Sequence, residues 1–234
     1  MVLVIVVSHW YENLNWLKNS PWEVVVCDKN GSAKSPFSPN KKCTLDINKG
    51  REASTYLKYI VEYYDKLPDH IAFIHGHEYG AWHQKYPGHL FEAIRKARVS
   101  EYDYISLNNF FQIKTRFKFC ECYINPKLDG HLAEAPDLFK CIEEHWDIFQ
   151  PIFKTEECPG YFRYNCGAQF IVSRKAIRQY PISFYKSLLR YMLDGSNDYT
   201  KGVTLESVWG IIFGEDDNTI MNDLQYRKTR FNGT

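Results

Sequence analysis

Apolar and polar positions follow one another in blocks whose period changes along the chain. Residues 2–7 form an unbroken Val-rich run, the pattern of a strand covered on both faces. Leu14, Trp16 and Leu17 cluster within residues 14–19 ahead of Pro21, which predicts a short helix. A second Val-rich strand is predicted over 22–27, then a turn at Asp28-Lys29-Asn30-Gly31 and a surface loop over 32–42. Across 50–66, Tyr56, Leu57, Ile60, Val61 and Tyr64 recur at helical spacing until Leu67-Pro68. Strands at 71–75 and 102–107 flank a helix at 90–98. The Pro-bearing middle, 110–164, is less regular and predicts one helix over 135–149. A strand at 166–172 then leads into helices opening at Ser173-Arg174, over 182–193, and last over 204–213, with residues 232–234 frayed.

This alternation predicts an α/β fold, a single Rossmann-like domain over 1–234 with a mostly parallel central sheet and helices on both faces. Ligands in such sheets bind beyond the carboxyl ends of the strands. Those ends carry Ser8-His9-Trp10, Asp28-Lys29 and His75-Gly76-His77-Glu78.

Composition narrows the partners. The net charge of +1, from 29 Lys+Arg and 28 Asp+Glu, offers no footprint for nucleic acid. No segment reaches the roughly 18 apolar residues of a membrane span, so no transmembrane segment is expected. The apolar start lacks a basic flank and makes a poor signal peptide. The seven cysteines include no C-x-x-C pair and read as mostly reduced thiols of a cytoplasmic protein. Aromatic residues are abundant, at 16%. Trp10, Tyr11, Trp82 and Tyr86 fall just past predicted strand ends, where rings can pack on a base or a sugar.

Four constellations can carry chemistry. In Asn48-Lys49-Gly50-Arg51-Glu52, a helix N-terminus and a guanidinium can together hold a phosphate, although Arg51 could equally pair with a surface carboxylate. His75, His77 and Glu78, with His83 and His89 beyond, suit a polar pocket wall or a divalent metal. Asp28 sits where an acidic residue can read a ribose. Glu206 lies at the start of the last predicted helix, where an acid also simply complements the dipole. Asp216-Asp217 reads as a solvated turn, and there is no Walker A, G-x-G-x-x-G or G-x-S-x-G motif.

Three blocks resemble a domain-of-unknown-function family of fungi, algae and large DNA viruses. They are Val6-Val7-Ser8 with Glu12 and Trp16-Leu17; Asn48 to Ala53 continuing to Phe73-Ile74-His75-Gly76-His77; and Cys166-Gly167-Ala168-Gln169-Phe170 continuing through Ser173-Arg174 to Leu205-Glu206 and Trp209. That family looks like GT-A glycosyltransferases. The Asn-x-Gly-Arg block is similar to rhamnan-synthesis enzymes. The Gly-x-Gln-Phe…Ser-Arg block is similar to branching N-acetylglucosaminyltransferases and peptide O-xylosyltransferases, in which a helical Glu is the base of an inverting transfer.

The resemblance implies transfer of a sugar from a nucleotide-sugar, a UDP-sugar such as UDP-xylose, to a hydroxyl of a glycan or glycoprotein. Residues 1–109 would bind the donor and 110–234 the acceptor. Ser8, His9, Asp28, Lys29, Gly50, Arg51, His75, His77 and Arg174 become donor-site residues; Trp82, Gln169 and Trp209 meet the acceptor or sugar; Glu206 is the base. Where GT-A enzymes place Asp-x-Asp for Mn²⁺, this chain has His75-Gly76-His77, so either these histidines hold Mn²⁺ or Mg²⁺, or cationic side chains neutralise the diphosphate. The competing readings are a metal-dependent hydrolase built on His75, His77, Glu78 and His83, and a non-catalytic sugar-binding module.

Overall fold

The computed structural model describes all residues except 30–35, 79–87, 109–121, 125–134, 160–161, 165–166, 196–197, 216–222 and 234, with backbone alone at 122–124, 135–139, 162–164, 198 and 223–224. Its first elements are β1 (Leu3–His9), a 3-10 turn (Leu14–Asn19), β2 (Glu23–Asp28), α1 (Arg51–Tyr63), β3 (His70–His75), α2 (His89–Lys96) and β4 (Tyr104–Ser106). Then come β5 (Cys122–Ile124), α3 (Ala135–Glu144), α4 (Trp146–Phe153), β6 (Phe162–Tyr164) and β7 (Phe170–Ser173). The chain closes with α5 (Arg174–Ile177), α6 (Ile182–Leu193), α7 (Asp198–Ile212) and α8 (Asp223–Arg230).

Five strands form one open sheet in the order β2-β1-β3-β7-β4, and β5 pairs with β6 separately. β1 runs parallel to β2 and β3, but β7 is antiparallel to both β3 and β4. The sheet is therefore mixed, not mostly parallel as expected. Helices do cover both faces. The two-residue period of each strand sorts its side chains: Val4, Val6, Ile71, Phe73, Phe170 and Val172 join Tyr56, Leu188 and Trp209 from α1, α6 and α7 in one core. Ile5, Val7, Ala72, Ile74, Ile105 and Ile171 join Leu90, Ala93 and Ile94 of α2 and Tyr226 of α8 in the other.

Several expectations are corrected in detail. The helix expected over 135–149 is two helices, separated at His145, whose φ/ψ of −125/34 is not helical. The last helix expected is not the last: α8 follows, and the terminus is docked by Asn232 N–H donating to Lys96 O at 2.7 Å. Cys27 and Cys43 form a disulfide, a pair that the reading of mostly reduced thiols did not single out; among the described residues Cys141 and Cys158 are free. Among the described residues, no helix is long and apolar enough to cross a membrane.

Candidate functional site

A cleft of about 330 Å³ opens beyond the carboxyl ends of β1 and β3, at the head of α1. The end of β1 contributes Ser8 and His9, followed by Trp10 and Glu12; Lys29 follows β2; Asn48, Arg51 and Glu52 lie around the head of α1; His75 ends β3 and His77 follows it. Asn48, Glu12 and Glu52 were not singled out as site residues from the sequence. Glu12 had a signal: it lies three residues beyond a polar strand end and inside the first resembling block.

The turn after β1 is held from within. His9 is bound through Nδ1 to Asp28 Oδ1 at 3.2 Å and through Nε2 to the Glu12 carbonyl at 2.9 Å. Trp10 N–H donates to Glu12 Oε2 at 2.7 Å, and Trp16 Nε1 donates to Gly76 O at 3.0 Å. A Cβ on Gly76 would lie 2.9 Å from Glu12 Oε2, so the Glu12 carboxyl needs a glycine there. Asp28 is wholly buried and does not line the cleft. It orients His9, which corrects its expected contact with a ribose.

Lys29 is also buried, and its Nζ donates to the carbonyls of Lys49 and Arg51. Its cation braces the loop entering α1, so loop geometry, rather than a phosphate, accounts for those two donors. That loop is tight. Gly50 has φ +72°, and a Cβ on it would meet Ser54 Cβ at 2.7 Å. Arg51 follows at φ +46°, a left-handed conformation costing a non-glycine residue on the order of 1–2 kcal/mol. The Arg51 stem fills the space a Cβ on Gly202 would need, and its guanidinium lies 5.2 Å from the Tyr199 ring centroid. Among the described residues, its ion pair is with Glu52 at a long 4.0 Å.

The His75 and His77 rings stand 5.1 Å apart, edge to face. Burial, then the His77 and Arg51 charges, hold His75 well below the usual imidazole range. Burial lowers His77 as well, with Glu12 and Glu52 opposing. Both rings are neutral at pH 7, able to donate at one nitrogen and accept at the other. Gln169 is buried and its Oε1 accepts from His75 N–H at 3.2 Å, so it positions the strand end rather than meeting an acceptor. Neutral imidazoles suit a metal, but among the described residues no three His, Cys, Asp or Glu side chains form a metal-binding group. The described residues therefore do not fit an Mn²⁺ or Mg²⁺ site.

The remaining expected residues divide. Glu206 is partly exposed in the interior of α7, which begins at Asp198, so a first-turn dipole role no longer applies. Gly202 and Glu206 are four residues apart on α7 and share a face. Burial, then the charges of Glu52, Glu206 and Glu12, raise the buried Tyr56 phenol well above 10, so Glu206 shares a neighbourhood with two cleft carboxylates. Trp209 is fully buried, 5.4 Å from Phe170 and stacked on Phe213, and is core rather than a sugar contact. Arg174 is at the far edge of the sheet: Ser173 pairs with His70 at the start of β3, and Arg174 binds Leu67 O at 3.1 Å and Asp69 at 2.8 Å. Trp82, His83, Tyr86 and Asp216-Asp217 lie outside the described residues.

Fold and site together define an α/β protein with a polar cleft at the ends of two parallel strands. Residues 4–226 match the family described as "Protein of unknown function (DUF3431)", nearly the whole chain, and the chain belongs to that family. No curated protein and no solved structure matches it.

Proposed function

We propose that the chain is a GT-A-like glycosyltransferase that moves a sugar from a nucleoside diphosphate donor, a UDP-sugar, to a glycan hydroxyl with inversion. The observation that supports this most is the packing of the Arg51 stem on Gly202, one turn from Glu206. It sets a cation at a helix head near the carboxylate expected to act as base. The described cleft walls come from residues between Ser8 and His77; Glu206, on α7, is not among the lining residues but shares the charge neighbourhood of Glu12 and Glu52 around Tyr56.

In this reading Glu206 takes the proton of the acceptor hydroxyl as that oxygen attacks the anomeric carbon. The bond from that carbon to the diphosphate oxygen breaks on the opposite face, which inverts the centre. Negative charge grows on the leaving diphosphate, where Arg51 and the first-turn N–H groups of α1 stabilise it. Neutral His75 and His77 hydrogen-bond the diphosphate and the sugar, while Glu12 and Glu52 accept from sugar hydroxyls. His9 and Lys29 shape the wall and the loop. No step runs through a metal ion.

The test is a UDP-sugar hydrolysis screen combined with a thermal shift on UDP. Glu206→Gln should lower turnover by orders of magnitude and leave the UDP-induced shift in place. A variant turning over at the wild-type rate removes Glu206 as base, and no shift with UDP removes the donor assignment.

A further inference from the structure

Among the described residues, the large hydrophobic side chains left exposed are Met1, Val2, Trp10, Tyr11, Ile47 and Tyr199. The first two begin the chain. Of the other four, one lines the cleft and each of the rest touches or adjoins a residue that does. Trp10 lines it, Tyr11 lies 4.6 Å from Trp10 between ring centroids, Ile47 adjoins the lining residue Asn48, and Tyr199 lies against Arg51. Exposed apolar residues scattered singly need no explanation; four of them around one polar cleft do.

The backbone that carries the ring pair is also pinned. The Trp10 N–H is tied to Glu12 and the neighbouring His9 to Asp28, while Trp10 and Tyr11 stay 42% and 65% exposed. A turn whose backbone is pinned and which carries two open π-faces is partly pre-organised to stack on a ring, because little backbone freedom is left to lose on binding.

We propose that this rim is a stacking platform for the pyranose faces of a neutral oligosaccharide, with Trp10 and Tyr11 as its anchor and Tyr199 and Ile47 extending it. A pyranose presents C–H groups on its faces and hydroxyls round its edge. The rim offers aromatic faces, and the cleft offers the planar acceptors of Glu12, Glu52 and Asn48 beside them. This deepens the transferase reading and rests on it, by naming how the acceptor is held.

Isothermal titration of the full chain with cellohexaose, xylohexaose and chitohexaose, each with and without UDP, tests the idea. Wild type should bind at least one of the three, and Trp10→Ala and Tyr11→Ala should each weaken that binding roughly tenfold, the loss of one stacked ring. Trp10→Phe should recover part of it. If UDP stabilises the protein but none of the three saccharides binds, the platform is wrong and the donor reading stands. If a saccharide binds but UDP does not, the platform stands and the transferase reading fails. Unchanged affinity in both alanine variants overturns the proposal. So does a concentration-dependent dimer that those variants abolish, since the rim would then be an interface between copies.

Discussion

The two edges of the central sheet carry similar residue types and use them differently. At the edge where β7 ends, charges meet partners at close range: Arg174 with Asp69 at 2.8 Å, Lys175 with Asp103 at 2.7 Å, and the Val2 N–H with Asp69 Oδ2 at 2.9 Å. At the edge where β1 and β3 end, Arg51 is in a left-handed conformation, 4.0 Å from Glu52 and against an exposed tyrosine. The first arrangement pairs its own charges at close range. The second leaves strain and a long ion pair around an open cleft, which is what a ligand can use.

The largest expected effect separates the core from both edges. Trp209→Ala should cost about 3–5 kcal/mol of stability, measured by chemical denaturation, because it empties a fully buried aromatic site. Trp209→Phe should be much milder and leave the UDP-induced thermal shift intact. A Trp209→Phe protein that keeps its stability and loses acceptor turnover would return Trp209 to the site.

The next effect sets the two arginines against each other. Arg51→Ala should weaken UDP binding by roughly tenfold to a hundredfold, the worth of about 1.5–3 kcal/mol for a hydrogen bond to a charged group. Arg174→Ala should lower the melting temperature slightly and leave UDP affinity unchanged, since Arg174 faces Leu67 O and Asp69. Equal losses of UDP affinity in the two variants would erase the distinction between the edges.

These two arginines also show where the sequence stops being readable. Each follows a small residue, Gly50 or Ser173, and opens a helix, so local pattern treats them alike. What separates them is the direction of the preceding strand. β7 runs antiparallel, so its carboxyl end lies at the opposite edge from those of β1 and β3. That direction is fixed by long-range strand pairing, which has no local signature. Strands β1 and β3, by contrast, are near-continuous apolar runs, and α6 follows from a plain helical stripe, so these were legible. Lys29 was legible as a cleft residue and Asp28 as its neighbour, but neither in its role, because burial decides whether a charge serves a ligand or its own fold. Trp209 was misplaced because α7 is apolar on most sides, which hides its inward face from periodicity.

A smaller effect isolates strain at the head of α1. Arg51→Gly and Arg51→Ala both remove the guanidinium and its stem beyond Cβ, but only glycine, which also lacks Cβ, adopts φ +46° without penalty. Arg51→Gly should be more stable than Arg51→Ala by about 1 kcal/mol, with UDP affinity equally weakened in both. Equal stabilities would mean that the turn relaxes once the arginine is gone.

The smallest effect distinguishes the edges by the pH at which each loses stability. His75 and His77 at the cleft have lowered folded-state pKa values, so below about 6.5 the unfolded chain binds protons that the native chain does not. Their contribution is complete above that pH and declines as pH falls through it. Burial also lowers His70, at the far edge, with Asp69 and Asp103 opposing, so it acts in the same window and with the same sign. The acid window belongs to the far edge. The Val2 N–H first, and then Arg174, outweigh burial and hold Asp69 below 3.8. Burial pushes Asp103 up, but hydrogen bonds from Lys175 and Ser173 outweigh it and hold Asp103 below 3.8 too. The stability these two confer is present above 3.8 and lost as pH falls through their lower folded values. Denaturation of wild type, His75→Gln and Lys175→Gln at pH 7.5, 5.5 and 3 should therefore show two separable defects. His75→Gln should reduce the loss between pH 7.5 and 5.5, because a glutamine binds no proton in either state. Lys175→Gln should leave that step unchanged and reduce the loss between 5.5 and 3. If Lys175→Gln alters the upper step as much as His75→Gln does, the two edges titrate as one coupled network and the contrast between them fails.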